Sequence, residues 1–179
     1  MKRILLLLFL ILPYIIQAQH LFNSVSGEVS FFSKAPLEDI YALNKEGKSI
    51  INSKTNEIVV VFGIRAFKFE KALMEEHFNE NYMESDKYKT AIFKGSIIEA
   101  IDYSKNGSYK VTAIGELEVH GVKQKRTLEG TLDIKNNALT LNTKFGIDLK
   151  DHKIKIPKAV VKNIAESVEV TAVFNYEPK

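Results

Sequence analysis

The chain of 179 residues contains no cysteine. That absence excludes a disulfide framework, a thiol nucleophile and a lipidated N-terminal cysteine, so the fold has to be held by burial alone. Histidine is scarce, at four residues, and no H-E-x-x-H pair exists to bind zinc. Neither a G-x-S-x-G nucleophile elbow nor a glycine-rich phosphate loop is present. Basic residues never cluster beyond a local group such as Lys123, Lys125 and Arg126, so the electrostatic footprint that nucleic acid requires is missing. The run Ile4–Leu12, with Lys2 and Arg3 before it, Pro13 after it and a small residue at Ala18, is too short for a comfortable membrane span. It reads as a secretory signal peptide over residues 1–18. Without Lys2 and Arg3, the 25 basic residues nearly balance the 22 acidic ones, and the high isoelectric point says little about partners. The expected protein is exported, periplasmic or secreted, soluble, and not a lipoprotein.

What is present is period-two alternation. Hydrophobic residues at 45% and charged residues at 26% are ordinary for a globular chain, and the length suits one domain, residues 19–179. Gly27, Val29 and Phe31 share one face; so do Ile58, Val60, Phe62 and Ile64. The phase slips near Ala66, because Phe67 and Phe69 flank Lys68, and a strand over Glu57–Phe69 therefore needs a bulge or bend. Further rows are Phe93, Gly95, Ile97 and Ile101; Tyr109, Val111, Ala113, Gly115, Leu117 and Val119; and Leu128, Gly130, Leu132 and Ile134. Leu139, Leu141, Thr143, Phe145, Ile147 and Leu149 follow, then Val168, Val170, Ala172, Phe174 and Tyr176. Asn106-Gly107, His120-Gly121 and Asn136-Asn137 read as turns between rows. Pro36–Ile51 is ambiguous between a helical turn and a short strand, and Pro157–Ala165 reads as a helical turn.

About eight strands with one polar face each describe an up-and-down antiparallel sheet, which closure into a barrel would rid of its edges. The predicted fold is all-β, an eight-stranded lipocalin-like antiparallel barrel with a short helical cap; a two-sheet sandwich is the alternative. The cap is Leu73–Gly95, the one stretch of helix and irregular turn, rich in aromatic residues (Phe78, Tyr82, Tyr88, Phe93).

Small inward residues (Gly27, Ala91, Gly95, Ala113, Gly115, Gly130, Ala172) alternate with large ones where a packed core would want bulk. Either the barrel is hollow and lined for an apolar ligand, or the glycines relieve bends at its corners. On the hollow reading the ligand-binding wall is Phe31, Phe62, Ile64, Phe67, Phe78, Tyr82, Phe93, Gly95, Ile97 and Val111 on one part of the chain. Ala113, Gly115, Leu117, Leu128, Leu132, Leu141, Phe145, Ile147, Ala172 and Phe174 complete it.

Catalytic readings are weaker. His77, Glu80 and Glu84 stand at helical spacing, as metal ligands would, yet acids on an exposed cap are commonly just solvated. His120 and His152 fall in turns beside charged residues and read as surface groups, without the base-and-acid arrangement of nucleophilic catalysis. Glu116 and Glu118 share an outer strand face, which is a poor site for an acid/base pair.

Three ordered motifs resemble the YceI-like family of exported polyisoprenoid-binding proteins. The first runs from Met74 through His77-Phe78-Asn79-Glu80 and Ser85-Asp86-Lys87-Tyr88 to Ala91-x-Phe93-x-Gly95. The second is Leu117-Glu118-Val119-His120-Gly121-Val122-Lys123, and the third Phe145-x-Ile147-x-Leu149-x-Asp151 running into Ile154-x-Ile156-Pro157. Lys89 departs from the proline common in that family. The resemblance spans residues 22–176. It implies a lipocalin-like barrel with no catalysis and no cofactor other than a bound isoprenoid or quinone lipid. The implied partner is a long apolar lipid (a polyisoprenoid, an isoprenoid quinone or a fatty-acid-like molecule), with membrane contact only transient, for lipid exchange. It leaves the oligomeric state open, a homodimer included.

Overall fold

The computed structural model describes residues 20–34, 39–156 and 165–179. The signal peptide read over residues 1–18 lies outside these residues, as do positions 36–38 of the ambiguous stretch and 157–164 of the last helical turn. The described residues form ten strands: β1 (Leu21–Ser33), β2 (Ile40–Asn44), β3 (Lys48–Asn52), β4 (Glu57–Gly63), β5 (Lys68–Phe69), β6 (Thr90–Ile97), β7 (Gly107–Val119), β8 (Val122–Lys135), β9 (Ala138–Asp148) and β10 (Ser167–Pro178). The cap carries one helix, α1 (Ala72–His77), which runs on as a π-helical turn over Phe78–Tyr82.

Eight strands close the barrel in the order β1, β3, β4, β6, β7, β8, β9, β10, with β10 pairing back onto β1. Every ladder of the ring is antiparallel, and the β10–β1 pairing closes it. Strand β1 is long enough to serve two partners along one edge: β3 over Leu21–Asn23 and β2 over Val29–Ser33. The branch is held by Asn44, which is fully buried. Its Nδ2 donates to the Gly63 carbonyl at 2.8 Å, and its Oδ1 accepts from the Glu46 N–H at 2.8 Å. The ambiguous stretch before Ile51 thus supplies two short strands, with β2 leading on to β5 beyond the barrel proper.

The bend expected inside Glu57–Phe69 is a 3-10 turn over Ile64–Ala66 that separates β4 from β5, which is how Ile64 and Phe67 both become buried. Two of the three turn readings stand. His120 and Gly121, at φ 52° and 70°, link Val119 to Val122, and Asn136 and Asn137, at 51° and 64°, link Lys135 to Ala138. Left-handed backbone at both central residues matches the twist of a two-residue hairpin. Asn106-Gly107 is a correction. Neither residue has positive φ, Gly107 already belongs to β7, and β6 is joined to β7 by the longer stretch 98–106. Asp102 organises that stretch by accepting from the Ser104 N–H and hydroxyl.

The interior is not uniform along its axis. At the end holding the start of β1 and the β8–β9 turn it is filled: Phe22, Ile51, Leu132, Ile134, Leu139 and Tyr176 are buried, and Tyr103 stacks on Phe22 with centroids 5.8 Å apart. The Tyr176 hydroxyl donates to Ser49 Oγ at 2.7 Å, and Ser49 Oγ donates to the Val59 carbonyl at 2.9 Å. Burial pushes the Tyr103 phenol up to about 12 and raises that of Tyr176 as well.

A tyrosine whose folded pKa exceeds its unfolded value of about 10 contributes stability that is complete below pH 10 and lost as pH climbs through the folded value. The melting temperature is therefore expected to hold to about pH 9 and fall between about pH 10 and 12. That fall should be shallower in Tyr176→Phe, as followed by circular dichroism melts. Equal slopes for the two proteins would show that this phenol is not part of the alkaline transition.

Candidate functional site

The other end of the barrel is open space. A cavity of about 410 Å³ occupies it, within the range of small-molecule sites. Its wall comes from the inward phase of nearly every strand: Val29 and Phe31 of β1, Ile58, Val60 and Phe62 of β4, Ala91, Phe93 and Ile97 of β6, and Val111, Ala113, Leu117 and Val119 of β7. Leu128 of β8, Leu141, Phe145 and Ile147 of β9, and Val168, Val170, Ala172 and Phe174 of β10 complete the circle. From Val111 to Val119 the lined part of β7 extends roughly 20 Å along the barrel axis, at ~3.3 Å per residue and a tilt near 40°.

The roof is an aromatic cluster. Phe78, from the π-helical turn, lies 5.0 Å from Phe69, 5.5 Å from Phe31 and 5.7 Å from Phe67, centroid to centroid, and Phe67 also meets Phe62 edge-on at 5.8 Å. Met74, His77, Tyr82 and Met83 join Phe78 on the cavity side of the cap. His77 is exposed as well as lining the cavity, which marks a mouth there. Desolvation raises the Tyr82 phenol above its ordinary value.

The cap is clamped to the barrel rim from the far side. Glu84 Oε2 lies 3.0 Å from His120 Nε2, Tyr88 packs on the His120 ring at 4.2 Å, and a Cβ on Gly121 would meet that tyrosine at 2.6 Å. His120 Nδ1 faces the His152 carbonyl at 3.1 Å, and His152 Nδ1 faces the carbonyls of Val122 at 3.1 Å and Val119 at 3.3 Å. Both histidines are buried, which corrects the surface reading: they staple the β7–β8 turn to the loop after β9 through backbone oxygens, and His120 reaches the cap through the Glu84 carboxylate. Neither lines the cavity. Glu84 is committed to His120 and so does not join His77 and Glu80; no group of three potential metal ligands occurs among the described residues.

The barrel wall has a seam between β8 and β9. The β8–β9 ladder stops at Gly130 and Thr143, although both strands run on, to Val122 and Asp148. Side chains bridge the gap. Arg126 Nη2 donates to the Gly146 carbonyl, Gln124 Nε2 to that of Asp151 at 2.7 Å, and Thr143 Oγ1 to that of Glu129 at 2.6 Å. These bonds satisfy carbonyls that a continuous ladder would have paired.

Most of the wall expected from the sequence is where the cavity is. Three members are not. Leu132 belongs to the filled end. Gly95 and Gly115 face each other across β6 and β7, where a Cβ on Gly115 would overlap the Lys94 carbonyl and sit 2.5 Å from the Gly95 Cα. They allow two strands to approach closely and provide no ligand space. The expected list also omitted Val29, Ile58, Val60, Ala91, Val168 and Val170, whose inward phase was legible. It omitted Met74 and Met83 too, and nothing in a period-two pattern points to those.

Residues 14–176 match the model of the YceI-like domain. The chain belongs to the YceI-like family. Solved structures with the same fold include a polyisoprenoid-binding domain from Saccharophagus degradans implicated in plant cell wall breakdown, at TM-score 0.75 and 13% identity over 90% of this chain and 100% of that one. BcnA from Burkholderia cenocepacia superposes at TM-score 0.71 and 15% identity, covering 83% of this chain and 95% of its own. The YceI protein of Campylobacter jejuni does so at TM-score 0.57 and 12% identity over 100% of both chains. No curated protein matches the sequence significantly. At such identities these YceI-like structures bear on the shape of the barrel alone.

Proposed function

We propose that this YceI-like protein is a non-catalytic carrier or sequestering protein for a long apolar lipid: a polyisoprenoid, an isoprenoid quinone or a fatty-acid-like molecule. The observation that carries the reading is the half-empty interior, about 410 Å³ walled almost wholly by aliphatic and aromatic side chains. The polyisoprenoid-binding domain from Saccharophagus degradans, which shares the fold, lends it support. The mechanism is partition. Each methylene leaving water contributes about 0.8 kcal/mol, so a chain of even a few isoprene units offsets the cost of association. The tail lies along the inward rows, and movement of the cap sets the exchange rate. On this reading residues 1–18 are a signal peptide, residues 19–179 the working domain, and the site of action the periplasm, with membrane contact only during exchange.

Protein purified from its native compartment is expected to carry lipid at near-stoichiometric levels, read by organic extraction and mass spectrometry. An extract free of lipid, from protein folded by circular dichroism, would favour an interaction module that works through its outer strands. Product formation from an isoprenoid lipid would favour an enzyme.

A further inference from the structure

The cap's helix changes pitch where it meets the cavity. After α1, the Met83 N–H donates to the Phe78 carbonyl at 2.9 Å, a five-residue step. Such π turns are uncommon and recur at functional sites. In this one, residues five apart come onto one face, so that His77 lies beside Tyr82 and Phe78 beside Met83, and all four line the cavity. In an uninterrupted α-helix Tyr82 would still lie one turn beyond Phe78, but Met83 would be rotated away from that face.

Two of the four are polar. Neither the His77 ring nor the Tyr82 hydroxyl has a hydrogen-bond partner among the described residues, and Tyr82 is half-buried. Both groups thus keep free donor and acceptor capacity at the mouth, where the polar end of a ligand can meet them. The remaining polar side chains of the wall are occupied or distant. Ser33 Oγ accepts from the Ala165 N–H at 3.3 Å, Thr143 donates to Glu129, and Glu129 lies on the seam.

The charge of the wall restricts what can arrive. Among the described residues no lysine or arginine lines the cavity, and the one carboxylate there is that of Glu129. The nearby cap cations Arg65 and Lys68 are engaged with Asp86 at 2.6 Å and Glu75 at 2.7 Å. An anionic head group drawn past this mouth would lose hydration with no counter-charge among the described wall residues to replace it.

We infer that His77 and Tyr82 form a head-group site at the cavity mouth, selective for lipids whose head is an uncharged oxygen, hydroxyl or carbonyl, over phosphate or carboxylate. The inference rests on the lipid reading of the cavity and adds to it the chemistry of the ligand's polar end.

Three probes separate the possibilities: geranylgeraniol, geranylgeranyl phosphate on the same chain, and squalene, which has no head. Each competes with a fluorescent apolar probe on the full-length mature protein. Geranylgeraniol is expected to bind at least tenfold more tightly than the phosphate. Tyr82→Phe keeps the ring, and should weaken geranylgeraniol about five- to tenfold while leaving squalene and the melting temperature unchanged; His77→Phe should act in the same direction. Phosphate binding as tight as the alcohol, or a Tyr82→Phe protein with undiminished affinity for the alcohol, overturns the head-group site and leaves the lipid cavity standing. Failure of all three probes to bind wild-type protein overturns the lipid reading and the head-group site with it.

Discussion

Gly115→Val is expected to keep the barrel from reaching its folded state, or to lower its stability by about 3 kcal/mol or more, the upper end of what over-packing costs. The added Cβ overlaps the Lys94 carbonyl, which is backbone, and crowds the Gly95 Cα opposite at 2.5 Å. A side chain can rotate away from such a collision. A ladder running from Ile92–Glu118 to Ile97–Ala113 on either side of the glycine pair cannot move without losing its hydrogen bonds. Valine otherwise favours strands, so the sign of the effect comes from this one close approach. Gly146→Val is the control: at that exposed strand position a Cβ meets only Ser167 Oγ, at an ordinary 3.7 Å. Urea titrations of the two variants should differ widely in midpoint, with Gly146→Val close to the parent. A Gly115→Val protein as stable as the parent would mean that β6 and β7 do not approach as described.

Two residues earlier on the same strand and the same face, the outcome reverses. Ala113→Phe is expected to leave the fold intact and to remove most of the bound lipid. Ala113 is only half-buried against packed atoms and borders the cavity, so the added ring enters space that is already empty. It displaces ligand volume toward the Val111 end of the slot, between Leu128 and Ile97, which flank it. Retained lipid should fall at least tenfold, equivalent to about 1.4 kcal/mol of lost affinity, while the melting temperature stays within a few degrees. Full lipid stoichiometry in a folded Ala113→Phe protein would place the ligand elsewhere.

The contrast between these positions shows how far the sequence could be read. Both are small, inward residues in one alternating row, and nothing local distinguishes them. Alternation reports which face a residue takes, because the backbone itself turns successive side chains to opposite sides. What an inward residue meets depends on the neighbouring strand's register, and Gly95 opposite Gly115 lies twenty residues away. The same limit explains Leu132, inward and apolar like Leu128, yet packed into the filled end. It explains His120 and His152 too: turn residues in the sequence, they are brought together by the β7–β8 hairpin and the loop after β9 and buried against carbonyls.

The sequence by itself determined the strand-rich character, the inward and outward faces, two hairpin turns, the bend after Ile64 and the place of the cap, because each depends on residues close together in the chain. The eight-stranded closed barrel was legible too; only the tertiary structure decided that one end is filled and the other hollow, and that a π turn brings Met83 beside Phe78 on the cavity side of the cap. Those features arise from contacts between remote segments, whose energies depend on distances that no local pattern encodes.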